Sequence, residues 1–439
     1  MDDSRNIPAA GRLFYIGPPL GHAARQVLEA RGYTIHQAQM VEDLEDVFAI
    51  DPHLIVFGMT GGTKLRAQIQ AEAGKREIPC VADLTLLSAL QADLIVPASR
   101  RVLISGSAGK SSTAAILQAV LGRQQREVAI LRAENGYLNA LGRRAEVLIF
   151  IAGLSQLRFA IGLNCMVSAI LNLSEEAGVP VSQRAREAAA ELLATAGLAI
   201  VGADDPGAQS LMMQLRKPGR AGHDNLVPVS GGATLADGYF PLERKVFAIR
   251  NGRTRRVANI KESASLVGDH FGQDTAVAAA VSAHLGLSDE QIEEGLLTYQ
   301  GLSGRFDLIG TDDRLVFVDD RHAVCRISAA AAITACPDVF WIGHRTGDLS
   351  KKVKAAARGF FYLAGDDGEG PPVDGVVTFA NADDATAAAI RAARELLRRD
   401  ARATPVVLFS PGAPGFERAG EAFRVHALGA LSQRGRRHG

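Results

Sequence analysis

The sequence predicts an α/β protein whose parallel sheets are distributed over three domains. Its 439 residues correspond to about three domains at roughly 150 residues each. Short apolar runs without polar alternation, typical of strands covered on both faces, recur along the chain between helical stretches. A glycine-rich loop between one such strand and the following helix indicates a phosphate-binding site.

The composition excludes several classes of protein. Apolar residues make up 47% and charged residues 22% of the chain, which is ordinary for a globular protein and excludes a disordered one. Lys plus Arg and Asp plus Glu both number 48, and this balance argues against nucleic-acid or membrane-surface partners. No run of 18 apolar residues occurs, so we expect no membrane insertion. The polar N-terminal stretch and four cysteines without CxxC spacing favour a cytoplasmic protein with reduced thiols.

Each predicted domain contains its own strands. For a domain at 1–98, we expect strands at 13–17, 53–58 and 78–82 and a helix at 22–31. For a domain at 99–300, we expect strands at 102–105, 128–131, 147–151, 167–171 and 198–201, helices at 182–196, 273–285 and 289–299, and a small β extension within 218–262. For a domain at 301–439, we expect strands at 315–318, 339–342, 360–363, 376–379 and 406–409, a helix at 383–399 and a frayed basic end at 433–439.

The candidate nucleotide site is the loop that follows the strand at 102–105. Its glycines let the backbone turn N–H groups toward phosphate oxygens, and the next helix adds the positive end of its dipole. Lys110 can neutralise the outer phosphates, and Ser111 can ligate magnesium. The alternative is a glycine–serine turn with an exposed lysine. The predicted nucleotide-binding residues of the loop are Gly106, Ser107, Ala108, Gly109, Lys110, Ser111 and Ser112.

The loop has the compact form G-[ST]-x-G-K-[ST] and resembles the loop of Mur ligases and folylpolyglutamate synthases. The resemblance to the Mur ligase family covers essentially the whole chain and is greatest for the D-glutamate-adding member. It is carried by IPCVADLTLL at 78–87, ILNLS at 170–174, ADD at 203–205, GDH at 268–270, GLSGRFD at 301–307 and SP at 410–411.

This resemblance implies an N-terminal Rossmann-like domain for a UDP-sugar carboxylate, a central P-loop domain for ATP and a C-terminal Rossmann-like domain for an amino acid. It also implies Mg²⁺ and an acyl phosphate that the amine of the amino acid displaces. Arg305 falls on the family's hinge arginine, which approaches the phosphates, and Asp320 on the aspartate that holds the ribose. The adenine-side asparagines of the family are replaced by Phe271 and Asp274.

The metal-side positions of the family are mostly lost. Arg158 replaces a glutamate that binds the second magnesium, Ala177 a metal-binding histidine and Ala189 a carbamylated lysine. No histidine or lysine lies between Lys110 and Lys217, and arginine can neither be carbamylated nor ligate magnesium. We therefore expect one magnesium ion at most. Glu175 and Glu176 either replace the lost ligands or form a solvated pair.

The substrate-side positions have also changed. The family's S-K pair, which follows the ribose aspartate, reads Arg321-His322. The loop at 410–416 is shorter than in the family and lacks the Ser and Phe that grip the incoming glutamate. In the first domain, the uracil-side motif D-[TS] reads Gln37-Ala38.

The changed charge at Arg158 allows two interpretations. A guanidinium can bind phosphate oxygens bidentately, so Arg158 could supply the positive charge that a second metal supplies elsewhere. Alternatively, it faces solvent or pairs with Glu175 or Glu176.

Three functions remain open at the level of sequence. The preferred one is a nucleotide-binding protein of the Mur ligase type with impaired or altered ligase chemistry, a possible pseudoenzyme that acts with a UDP-sugar or a cell-wall-synthesis protein. The alternative is an active ATP-dependent ligase with another acceptor or metal arrangement. A different P-loop enzyme, such as a kinase or ATPase, agrees less well with the hinge motif at 301–307.

Overall fold

The computed structural model of the chain describes residues 7–58, 63–176, 179–217, 225–263, 265–266, 271–344, 351–364 and 378–435. Within these residues, the strands form three larger sheets and a two-stranded ribbon. The sheets follow one another along the chain and consist mainly of parallel strands, which confirms the predicted α/β class.

The first sheet is entirely parallel. Its region contains β1 (Gly11–Ile16), α1 (His22–Ala30), β2 (Tyr33–Ala38), α2 (Leu44–Phe48), β3 (Leu54–Phe57), α3 (Thr63–Lys75), β4 (Cys80–Ala82) and α4 (Asp83–Ala89). The strand order among the described residues is β2-β1-β3-β4. The predicted strands and the helix at 22–31 are confirmed. The sequence did not predict β2, because this edge strand is mostly half-buried and polar.

The central sheet positions the glycine loop. Its region contains β5 (Arg101–Ser105), α5 (Lys110–Arg123), β6 (Val128–Arg132), β7 (Val147–Ala152), β8 (Val167–Ile170), β9 (Glu175–Glu176), β10 (Val179–Pro180), α6 (Gln183–Ala194), β11 (Leu198–Gly202), α7 (Pro206–Leu215), β12 (Leu226–Val229), β13 (Gly238–Leu242), β14 (Lys245–Arg250), β15 (Arg253–Asn259), α8 (Gly272–His284) and α9 (Asp289–Leu297). In the described part of the chain, the order is β15-β14-β13-β12-β11-β8-β5-β7-β6. Fully buried β5 pairs with β7 and β8.

The predicted β extension within 218–262 is an antiparallel continuation of this sheet. The strands β13, β14 and β15 pair antiparallel to one another, and β13 joins the parallel strands through β12. Residues 218–224 of the predicted range lie outside the described residues.

The third sheet is mixed. Its region contains β16 (Asp307–Asp312), β17 (Leu315–Asp319), α10 (Arg326–Ala335), β18 (Val339–His344), α11 (Lys351–Ala356), β19 (Ala357–Leu363), β20 (Thr378–Phe379), α12 (Ala382–Arg399), β21 (Val406–Phe409) and α13 (Glu417–Gly435). Over the described ranges, the order is β16-β17-β21-β18-β19-β20, with only the β16–β17 pair antiparallel.

The C-terminal region corrects one expectation and confirms another. The helix predicted at 383–399 is α12. The frayed end predicted from residue 433 was wrong as far as 435, because α13 is helical to Gly435. The sequence did not predict α13, whose Phe423 and Ala427 are fully buried in the core of the third sheet and fix the helix in place. Residues 376–377 of a predicted strand and 436–439 lie outside the described residues.

The apolar cores cross the predicted boundary at 98/99. One buried cluster contains Leu13 and Leu84 of the first region together with Leu138 and Leu154 of the central region. The third sheet has two separate apolar clusters. Phe306 packs against one of them and also against the central core. The domain boundaries therefore remain predictions. Of the helices in the described residues, none is long and apolar enough to cross a membrane.

Candidate functional site

The glycine loop connects β5 to α5, in the order that the sequence predicts. Gly106 has φ +147° and Gly109 has φ +84°, conformations that favour glycine because it lacks a Cβ atom. At Gly109, the residue before α5, a Cβ atom would also lie 2.5 Å from Asp274 Oδ1. The sheet thus presents the loop at the carboxyl end of a buried strand, where parallel α/β folds bind ligands.

The donors of this loop converge on a single side-chain oxygen. Asn172 Oδ1 accepts hydrogen bonds from Ser107 N at 2.5 Å, Ser107 Oγ at 2.7 Å and Ala108 N at 3.1 Å. Lys110 Nζ donates to Gly106 O at 2.5 Å and Ser107 O at 3.4 Å. In the sequence, Asn172 is part of the ILNLS motif at 170–174 and has no predicted role at the loop. Its place after β8, the neighbour of β5, becomes informative once the strand order is known.

An interdomain cleft of about 200 Å³ lies between this loop and the third region. Of the predicted nucleotide-binding residues, it brings together Ala108, Gly109, Ser112, Arg305 and Asp320. Gly106, Ser107, Lys110 and Ser111 belong to the same loop and helix start. The cleft is also lined by Asn172, Phe271, Gln273, Asp274, Phe306, His322, Ala323, Ile327, Ser328, Ala331 and Ala332.

Two buried carboxyl groups flank Arg305 in this cleft. Burial raises the pKa of Asp274 to about 7 against the opposing hydrogen bond from Thr113 Oγ1, whose oxygen lies 3.0 Å from Asp274 Oδ1. Burial also raises the pKa of Asp320 to about 7. Asp320 accepts from Ser410 Oγ at 2.7 Å and from Phe306 N at 3.1 Å, so each of its carboxylate oxygens already has a protein partner.

The charge of the cleft depends on these groups together. Burial lowers the pKa of Arg305, whereas Asp320 and Asp274 oppose that shift. Burial also lowers the pKa of His322, and the positive charges of Arg305 and Arg321 lower it further. A half-buried arginine beside two carboxyl groups that titrate near neutrality can attract an anion most strongly while those groups keep their protons.

The described residues offer few magnesium ligands. They contain no group of three or more His, Cys, Asp or Glu side chains arranged to hold a metal. Side-chain oxygens at the loop and the start of α5 include those of Ser107, Asn172, Thr113 and Asp274. Magnesium commonly takes one or two protein ligands and the rest from phosphates and water, and the expectation of one ion at most stays a prediction.

The positions of the lost metal ligands differ in what the structure describes. Ala189 is fully buried on α6 within the shared core. Ala177 lies outside the described residues, and Glu175 and Glu176 are described only as strand backbone. The role of Glu175 and Glu176 as replacement ligands therefore stays a prediction.

Arg158 is exposed, and its guanidinium carbon lies 4.4 Å from the centroid of the Phe159 ring. Among the described residues, it is outside the set that lines the interdomain cleft. This placement favours the interpretation in which Arg158 faces solvent, and its proposed role toward phosphate stays a prediction. The preceding Gln156 accepts hydrogen bonds from Gly153 N and Tyr137 OH.

In the first region, the glycine turn GPPLG at 17–21 makes hydrogen bonds to side-chain amides of the chain itself. Gln37 Oε1 accepts from Leu20 N at 3.3 Å, and Gln37 Nε2 donates to Pro18 O at 3.2 Å. Asn139 Oδ1 accepts from Gly21 N at 2.7 Å across to the central region. Gln37, at the changed uracil-side position, and Asn139 therefore engage backbone groups of this turn.

At the position of the family's S-K pair, Arg321 is held in an ion pair. Its Nη2 lies 2.6 Å from Oδ2 of the fully buried Asp319, and its backbone N–H donates to Asp319 Oδ1.

The sequence is similar to curated peptidoglycan ligases. It is 29% identical over 350 residues to a UDP-N-acetylmuramoylalanine–D-glutamate ligase of Phenylobacterium zucineum, covering 74% of this chain and 72% of that protein. It is 28% identical over 361 residues to the ligase of the same name from Brucella abortus, covering 78% and 76%. No family model matches the chain.

Solved structures share the fold at lower identity. A UDP-N-acetylmuramoylalanyl-D-glutamyl-2,6-diaminopimelate–D-alanyl-D-alanyl ligase from Acinetobacter baumannii has a TM-score of 0.56 at 16% identity and covers 93% of this chain and 98% of its own. A MurF ligase from Thermotoga maritima, solved in complex with ADP, has a TM-score of 0.54 at 15% identity, with 98% of both chains covered. At these identities, the likeness shows the architecture alone.

Proposed function

We propose that the chain, which belongs to the Mur ligase family and is similar to D-glutamate-adding members, binds ATP or ADP in the interdomain cleft and has impaired or altered ligase chemistry. We place it in peptidoglycan synthesis in the cytoplasm. Its partners there would be a nucleotide and either a UDP-sugar or another protein of that process.

One observation carries the nucleotide proposal. The backbone N–H groups of the glycine loop converge on one acceptor at the edge of a cleft that also contains Arg305. Such converging N–H groups bind phosphate oxygens, and the half-buried guanidinium of Arg305 adds positive charge. The ADP complex of the Thermotoga maritima ligase supports a nucleotide in a protein of this fold.

Impaired or altered chemistry is supported by the residues at the other sites. Arg158 occupies the position of the family's magnesium-binding glutamate. The buried Ala189 occupies the position of the carbamylated lysine. Arg321 is paired with Asp319 at the acceptor side. Without a second cation to offset phosphate charge, transfer of a phosphoryl group to a carboxylate loses much of its electrostatic stabilisation.

The alternative is an active ligase with a different acceptor or metal arrangement. Asp274 favours it, because this residue brings a carboxyl group into the cleft at a position where the family has an asparagine. A carboxylate there could hold one magnesium ion together with nucleotide phosphates.

A phosphate-release assay with UDP-N-acetylmuramoyl-L-alanine, D-glutamate, ATP and Mg²⁺ tests for ordinary D-glutamate addition, with calorimetry of ADP binding alongside. The same assay with other amino acids in place of D-glutamate tests the alternative, which predicts phosphate release with one of them. We expect ADP binding without D-glutamate-dependent phosphate release, and the Phenylobacterium zucineum ligase serves as the positive control. Turnover comparable to that control would refute impairment. Absence of ADP binding would refute the nucleotide site.

A further inference from the structure

We propose that Asn172 is an internal competitor of the nucleotide: its carboxamide oxygen occupies the place of a phosphate oxygen in the glycine loop and must leave when a nucleotide binds. This inference rests on the proposed nucleotide function. It adds a residue that sets the affinity of that site.

The first step is the geometry of the acceptor. Asn172 Oδ1 receives the N–H groups of Ser107 and Ala108 and the hydroxyl of Ser107 at distances from 2.5 to 3.1 Å. Two successive backbone N–H groups directed at one oxygen form the concave arrangement that binds anions in proteins. The groups available for a phosphate oxygen are therefore already engaged by a neutral one.

The second step is the rigidity of the competitor. Asn172 follows β8 directly, and Ile170 of β8 pairs in register with Ser105, the last residue of β5. Leu171 N also donates to Ser105 O at 2.8 Å. Two paired strands thus hold the carboxamide opposite the loop, so the contact follows from the sheet and needs no movement of a domain.

The third step is the fit around the oxygen. A Cβ atom at Gly106 would lie 2.9 Å from Asn172 Oδ1, so the backbone of the loop lies directly against the carboxamide. Asn172 Nδ2 in turn donates to Ala108 O at 3.4 Å. The side chain uses both ends of its amide on one loop, which favours a specific closure over chance contact.

The fourth step compares the two acceptors. Hydrogen bonds to a charged phosphate oxygen are roughly twice as strong as those to a neutral amide. A nucleotide can therefore displace Asn172, but it loses the hydrogen bonds that the loop already makes. The affinity for the nucleotide is set by the difference between its hydrogen bonds to the loop and those of Asn172. Removing the carboxamide should therefore raise the affinity.

Calorimetric titration of ADP into the full chain tests this inference. We expect Asn172→Ala to bind ADP about five- to tenfold more tightly than the wild type, since a few net hydrogen bonds no longer compete. We expect Asn172→Asp to bind ADP at least tenfold more weakly, because a carboxylate of the same size makes stronger hydrogen bonds to the loop and repels phosphate. Asn164→Ala, which changes an exposed asparagine, is the matched control and should leave the affinity unchanged.

The direction in which Asn172→Ala changes the ADP affinity separates competition from structural support. If Asn172 only held the loop in shape, Asn172→Ala would bind ADP no more tightly than the wild type, and the inference would be wrong. Asn172→Ser, whose side chain is too short to fill the loop, should also bind more tightly and decides the question if the alanine variant does not fold.

Failure of the inference and of the proposed function give different results. ADP binding by the wild type that is weakened by Lys110→Ala, without a gain in Asn172→Ala or Asn172→Ser, overturns only the role of Asn172. No ADP binding by the wild type or by either variant overturns both. Binding that is measurable only after Asn172 is shortened would refute ADP binding as a function of the wild type and would support Asn172 as the competitor.

Discussion

Asp83 provides a pH-dependent test of how the first and central regions pack. It opens α4 with no exposed surface, and its Oδ2 accepts from Tyr137 N of the central region at 3.2 Å. Oδ1 has no hydrogen-bond partner within the described residues. Burial raises the pKa of this carboxyl from 3.8 to about 7, despite the opposing effects of its backbone hydrogen bonds and of Arg66.

The direction of the pH effect follows from this shift. The folded chain keeps the proton of Asp83 up to about pH 7, whereas the unfolded chain releases it near pH 3.8. Between these values, the folded state binds more protons, so the free energy of unfolding falls as the pH rises. From pH 5.5 to pH 8, stability is lost mainly over the roughly 1.5 pH units below the folded-state pKa of about 7. At about 1.36 kcal/mol per pH unit, the free energy of unfolding falls by about 2 kcal/mol.

Asp83→Asn should remove this loss. The amide oxygen can still accept from Tyr137 N, and the side chain no longer ionises. Relative to the wild type, we expect the variant to gain about 2 kcal/mol in free energy of unfolding between pH 5.5 and pH 8. Urea unfolding followed by circular dichroism at both pH values measures the gain, and Asp46→Asn, at an exposed aspartate, is the control. A difference between variant and wild type that does not change with pH would refute the reasoning.

Three further predictions concern the loop and its surroundings. Lys110→Ala should weaken ATP or ADP binding by more than tenfold, about 1.4 kcal/mol, and equal affinities by calorimetry would contradict this. Gly109→Ala should lower the thermal unfolding midpoint, because φ is +84° and the new Cβ would meet Asp274; an unchanged midpoint would show that the loop relaxes. Arg158→Glu should weaken ATP binding at low magnesium and make it more magnesium-dependent if Arg158 substitutes for a metal. An ATP titration that gives the same magnesium dependence for both proteins would assign Arg158 to the solvent, as its contact with Phe159 indicates.

Local patterns in the sequence were sufficient for the parallel strands and for the loop. An apolar run such as 147–151 identifies a strand without knowledge of its neighbouring strands, since burial on both faces requires a continuous apolar strand. The loop was predictable because glycines at 106 and 109 and the lysine after them encode a backbone shape within a few residues. The polar edge strand β2 and the helix α13 lacked such a pattern, since their stability depends on what they pack against.

Only the tertiary structure decided which side chains meet at the loop. Asn172 reaches it because β8 lies beside β5, and Asp274 reaches it because α8 packs on α5; sequence separations of 65 and 161 residues hide both contacts. The raised pKa values of Asp83, Asp274 and Asp320 arise from burial by distant segments. A sequence records residue type and local periodicity, whereas burial and convergence depend on strand order and on the packing of one region against another.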